Sequence, residues 1–147
     1  MGSLAIPASG RIYLDANCVI YSVEKHPDYW PLLLPLWQVA QSRAIEVVSS
    51  ELVLLETLVV PYRSNDSTLA HAYEQLFLQP QTCLLPITKA VLRQAAQLRA
   101  TTSLRTPDAI HAATAIDAKC VLMVSNDQPL RRIAGLSVVI LRDLLLP

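Results

Sequence analysis

The chain has 147 residues, 52% of them hydrophobic and only three glycine, so it is long enough to bury a substantial core and too apolar for disorder. Twelve basic residues balance twelve acidic ones, which argues against holding nucleic acid by bulk cationic charge and leaves Arg63, Arg99, Arg105, Arg131 and Arg132 for a locally basic rim. Cys18, Cys83 and Cys120 are odd in number and far apart, with no CxxC, so a disulfide framework or zinc site is not expected and a reducing, cytoplasmic compartment is.

No signal peptide is visible in "MGSLAIPASGRIYLD". The most apolar runs do not reach membrane-spanning length. "YWPLLLPLWQVA" is twice broken by proline, and residues 44–62 hold three glutamates. A soluble protein is expected, with apolar surface to spare for a dimer face.

"RIYLDA" (11–16) reads as a buried strand ending at Asp15. Helices follow through "CVIYSVEK" and from about Tyr29 to Arg43, the latter with Pro31 and Pro35 expected to disturb only its first turns. "AIEVVSS" (44–50) is a second strand that runs into a helix capped by Ser49 or Ser50. Residues 66–79 form a helix capped by Asp66 or Ser67, 82–87 a third strand, and 88–102 an amphipathic helix. In "RTPDAIHAATAIDA" (105–118) Thr106 is the expected N-cap and Pro107 the first helical residue. "CVLMVS" (120–125) is a fourth strand, "DQPLRRIA" a short helix and "SVVIL" (137–141) a fifth strand. Strands alternating with helices predict a parallel sheet covered on both faces, in one domain over 1–147 with its core at about 11–141.

In such sheets ligands bind beyond the carboxyl ends of the strands, where strand order reverses. Asp15 ends strand one and Asp127 follows strand four, so the two converge if those strands are neighbours. Asp108, in the first turn of the helix before strand four, joins them only if that helix is suitably tilted. Each has a plainer explanation: Asp15 as a helix cap, Asp108 as a complement to the helix dipole, Asp127 as a turn residue in "SNDQP".

Glu56 does not. It lies inside its helix in "LVLLETLVVP", amid aliphatic residues, where an uncompensated carboxylate is costly. The chain's three lysines, Lys25, Lys89 and Lys119, offer it no obvious partner. A hard dication held among three or four carboxylates would compensate it; Mg²⁺ and Mn²⁺ both favour oxygen ligands. His111 lies one turn after Asp108 and is assigned no role, and Glu51, in the first turn of its helix, is explained by the dipole.

Taken together, "IYLDANCVIY", "SSELVLLETLVVPYR", "RTPDAIHAATA" and "LMVSNDQPLRRI" resemble the PIN-domain ribonucleases, most closely the VapC-type toxins, over nearly the whole chain. The resemblance implies a three-layer α/β/α sandwich around a parallel sheet of about five strands. It implies a metal-dependent endoribonuclease in which Asp15, Glu56, Asp108 and Asp127 are the catalytic, metal-holding acids, with Asn17 and Ser125 as polar support. Phosphodiester hydrolysis by water activated at Mg²⁺ or Mn²⁺ would leave 5′-phosphate and 3′-hydroxyl ends. Arg105, Arg131 and Arg132 are the candidates to hold RNA phosphates. The resemblance further implies a partner antitoxin and a homodimer. Leu130 stands where the family often has an aromatic residue.

Two rival readings are a haloacid-dehalogenase-type phosphatase using Asp15 and a PIN fold kept only for binding RNA. The first needs an acid where Asn17 stands and a lysine near Asp127, and has neither; the second predicts a broken acid set, whereas all four positions are acidic. A receiver-type signalling domain lacks its acid pair, its phosphoacceptor and its lysine.

Overall fold

A computed structural model describes residues 2–146. Five parallel strands form one sheet: β1 (Gly10–Leu14), β2 (Ile45–Ser50), β3 (Thr82–Leu85), β4 (Leu122–Ser125) and β5 (Val138–Ile140), in the order β3-β2-β1-β4-β5. The helices are α1 (Ala16–Val23), α2 (Trp30–Gln41), α3 (Leu52–Arg63), α4 (Ser67–Leu76), α5 (Lys89–Thr101), α6 (Thr106–Asp117) and α7 (Leu141–Leu145). The order reverses between β1 and β4, whose paired residues run from Ile12 with Leu122 to Leu14 with Val124.

Side chains alternate across a strand, and both faces of this sheet are covered, so β1 is buried continuously through Ile12, Tyr13 and Leu14. Ile12, Leu14, Val47, Leu122 and Val124 face a core shared with Cys18, Leu33, Leu58 and Tyr73 of α1 to α4. Tyr13, Val48 and Met123 face the opposite core with Val91 and Ala95 of α5 and the alanines of α6. Fully burying one such leucine or valine contributes about 1.5–3 kcal/mol, so two cores of this kind fix the sheet firmly.

Local signals set most boundaries. Asp66 caps α4 by accepting the Leu69 N–H at 3.0 Å, and Thr88 caps α5 through Val91 N–H at 3.1 Å. Ser50 Oγ accepts the Leu52 N–H at 3.1 Å where α3 begins. At α6 the expected cap is displaced by one residue. Thr106 is already helical, and Arg105 holds the cap position without a side-chain bond. Pro31 opens α2 and Pro35 lies in its second turn, on the exposed face. The short helix after β4 is a 3-10 segment, Gln128–Arg132. The fifth strand is shorter than expected because Leu141 opens α7, a helix the sequence pattern did not separate from the strand. No helix among the described residues is long and apolar enough to cross a membrane.

Candidate metal and active centre

Asp15 follows β1 and takes the extended backbone of a helix N-cap, its Oδ1 accepting the Cys18 N–H at 3.2 Å. Its Oδ2 accepts the hydroxyl proton of Ser125, the last residue of β4. Ser125 Oγ in turn accepts the Asp127 N–H at 2.9 Å. One buried hydroxyl therefore ties the two strand ends together across the point where the order reverses. Burial pushes the Asp15 carboxyl above the usual range, while the Ser125 hydroxyl, nearby His111 and the Cys18 N–H draw it back.

Asp108 reaches the same rim. Only four residues separate the end of α6 at Asp117 from the start of β4 at Leu122, so the helix end is held near the amino edge of the sheet. Twelve residues at about 1.5 Å each then carry the first turn back to the carboxyl edge. There Asp108 faces Asp127 closely enough to share a proton with it, and feels Asp15 as well. Partial burial first, then these two like charges, push the Asp108 carboxyl from 3.8 up to about 7. Asp127 precedes the 3-10 segment without capping it, and its buried Oδ2 has no hydrogen-bond partner among the described residues. A turn residue needs no such geometry.

Glu56 has a different neighbour. His111 Nε2 lies 2.5 Å from its Oε1, and His111 Nδ1 lies 2.6 Å from the Tyr13 hydroxyl. The Tyr13 oxygen accepts the Ser50 N–H at 3.0 Å. Tyr13 and His111 are 0% and 1% exposed, whereas the Glu56 side chain keeps 26% exposure. Burial raises the Tyr13 phenol far above its ordinary value, so it remains a proton donor. The apolar neighbours of Glu56 do not enclose it: Leu55, Val59 and Val60 lie 65%, 38% and 64% exposed on α3. The carboxylate is half-buried and compensated by a histidine, a partner the sequence pattern did not name. His111, the hydrogen-bond partner of Glu56, also lies within electrostatic reach of Asp15 and Asp108.

A sequence model of the PIN domain matches residues 12–136. The chain belongs to the PIN domain family. Its fold is also that of solved toxin–antitoxin structures. VapBC2 from Rickettsia felis, bound to a DNA fragment from its promoter, superposes with a TM-score of 0.70 at 20% identity, over 88% of this chain and 97% of that one. DNA-bound VapBC from Salmonella typhimurium gives 0.60 at 16%, over 89% and 98%. VapC20 from Mycobacterium tuberculosis, a sarcin-ricin loop cleaving toxin, gives 0.61 at 17%, over 76% and 86%. No curated protein sequence matches the chain.

In this PIN domain, no three His, Cys, Asp or Glu side chains among the described residues stand together as a ready metal cage. Mg²⁺ does not require one, since it commonly takes one or two carboxylates and completes its shell with waters and substrate phosphate. Asp108 and Asp127 fit that donor set: two facing carboxylates, one raised in pKa by burial and then by the other, and one buried oxygen lacking a partner. Asp15 is the third acid nearby, already hydrogen-bonded. Asn17 is exposed and makes no side-chain hydrogen bond among the described residues. Ser125 is the buried tie described above. Arg131 is held by Asp143 through two bonds of 2.7 and 2.8 Å, so it is not free for phosphate as it lies. Arg105 and Arg132 are exposed. His111 and Tyr13 are the members that sequence reasoning missed. Only the three-residue spacing from Asp108 pointed to the first, and nothing pointed to the second.

Proposed function

We propose that this PIN domain is a Mg²⁺- or Mn²⁺-dependent endoribonuclease and the toxin of a toxin–antitoxin pair, acting in the cytoplasm. The observation that carries the reading is the Asp108–Asp127 pair, two carboxylates pressed together beside Asp15 at the strand-order reversal, with an unpartnered oxygen facing inward. Family membership and the likeness to VapC-containing structures support the same reading.

Asp108 and Asp127 would hold the cation, with Asp15 and Glu56 completing the acidic rim. An ion held there would supply Lewis acidity at the scissile phosphate and ease ionisation of the attacking water. Ser125 keeps Asp15 and the Asp127 backbone in fixed relation, so the rim is set before substrate arrives. Arg105, three residues before Asp108, and Arg132, both exposed, would take flanking phosphates of single-stranded or looped RNA. In-line displacement would leave 5′-phosphate and 3′-hydroxyl ends.

Incubation of the purified chain with tRNA, rRNA and mRNA pools is expected to give discrete cuts with Mn²⁺ or Mg²⁺ and none in EDTA. Cleavage unaffected by EDTA would rule out the metal mechanism, and retention of RNA without cleavage would favour the binding-module reading. A homodimer belongs to the same proposal, and the exposed apolar face of α3 (Leu55, Val59, Val60 and Tyr62) is its candidate contact. A Leu55→Lys/Val60→Lys variant is expected to sediment as a monomer where the parent is a dimer. An unchanged dimer would put the interface elsewhere.

A further inference from the structure

The chain of bonds from Ser50 to Glu56 crosses three elements, and its direction follows from donor counting. The Ser50 amide can only donate, so the Tyr13 oxygen accepts there and its proton is available to His111 Nδ1, 2.6 Å away. With Nδ1 accepting, the neutral ring carries its proton on Nε2, facing Glu56 Oε1 at 2.5 Å. The opposite neutral tautomer would set a bare nitrogen lone pair against a carboxylate. Tyr13 and His111 are fixed in the core, their rings edge-to-face with centroids 5.7 Å apart. Glu56, by contrast, is a flexible, partly exposed side chain on α3, beside the exposed Leu55, Val59 and Val60. Its only side-chain hydrogen-bond partner among the described residues is His111.

We propose that Tyr13 and His111 are positioning residues: Tyr13 selects the tautomer of His111, and His111 holds Glu56 by Oε1 so that Oε2 faces the acidic rim. This rests on the metal-centre reading above and adds to it. The position of Glu56 is then referenced to β1 and α6 rather than to the surface of α3. Because Asp108 lies one turn before His111, a single helix carries one carboxylate of the centre and the group that orients another. Partners that orient metal-site carboxylates in this way typically change metal affinity by about 10–100-fold when removed.

The test uses the full chain and Mn²⁺ alone, with free Mn²⁺ followed by its electron paramagnetic resonance signal. His111→Leu is expected to weaken Mn²⁺ binding about tenfold in the parent and to change nothing in a Glu56→Gln background. His111→Gln, whose amide N–H can replace Nε2–H, should retain most of the affinity. Tyr13→Phe, a smaller change should the leucine variant fail to fold, is expected to weaken binding about threefold, again only while Glu56 is present. Nitrogen-15 spectra of the labelled imidazole should show the Nε2–H form of His111. Equal losses in both backgrounds, no loss in either variant, the Nδ1–H form, or a parent that binds no Mn²⁺ would each overturn the proposal. A parent that shows the coupled Mn²⁺ binding yet cuts no RNA would leave the proposal standing and remove the nuclease reading alone.

Discussion

Replacing Asp108 with asparagine is expected to destroy RNA cleavage and, in the same variant, to raise the melting temperature of the metal-free protein at pH 8. The two effects have one origin. A carboxylate facing Asp127 and sensing Asp15 is useful only with a cation between them, and without it the three repel. Losing a carboxylate that holds the cation forfeits part of the charge stabilisation it brings; ~3 kcal/mol of that is more than a hundredfold in rate. On the stability side, the Asp108 carboxyl is raised from 3.8 to about 7, a penalty for ionising it in the folded state. The group is only half-buried, so water screens much of this, leaving on the order of 1 kcal/mol. Against it stands the lost attraction between Asp108 and the α6 dipole, ~0.5 kcal/mol at such a site. The ionisation penalty, from burial first and like charge second, outweighs that attraction, and an asparagine N–H can also donate to the unpartnered Asp127 oxygen. The net rise is expected to be about 2 °C. Thermal melts in EDTA, paired with cleavage assays in Mn²⁺, measure both. A variant that cuts RNA as well as the parent and melts lower would make Asp108 a helix-terminus residue and nothing more.

How far the sequence reaches is clearest at particular residues. The unbroken apolar run of β1 and the parallel sheet follow from strands alternating with helices, whereas the adjacency of β1 and β4, and with it the approach of Asp15 to Asp127, depends on a strand order that alternation leaves open. Asp108 was legible in principle, because the short connection from Asp117 to Leu122 and the length of α6 decide where its first turn lies. Side-chain spacing alone does not carry that information. Glu56 is half-buried, as its place in the aliphatic run suggests, but that run does not enclose it. An aliphatic run on a helix looks like core, yet Leu55 and Val60 are 65% and 64% exposed. The compensation for its charge comes from His111, 55 residues away in sequence. No local pattern encodes a pairing that depends on how α6 crosses β1 and β2. Likewise "SVVILRDLLLP" holds a strand and a helix with no breaker between them, so α7 merges into β5 when only hydrophobicity is read.

The stability gained from Mn²⁺ is expected to grow as pH rises from 5 to 8, and Asp108→Asn should flatten that growth. Folding raises the Asp108 carboxyl from 3.8 to about 7, so between those values the folded chain holds this proton more tightly than the unfolded chain does. The stability attached to the proton is complete below the unfolded value and is lost as pH climbs through the folded one. Metal-free protein should therefore lose this contribution across that window and stay level beyond it. The burial that raises Asp15 acts with the same sign. A dication competes with the proton for the same oxygens, so it binds weakly at pH 5 and replaces the lost proton at pH 8. Melting temperatures with and without Mn²⁺ at fixed ionic strength, taken at half-unit steps of pH, give the comparison directly. In the asparagine variant the Asp108 carboxyl is gone, and the metal-free curve should run above that of the parent by a margin that opens only as Asp108 would have ionised. A Mn²⁺ effect of constant size across the range, or one that survives Asp108→Asn unchanged, would mean that the cation sits away from the Asp108–Asp127 pair. The repulsion between these two carboxylates would then need another purpose.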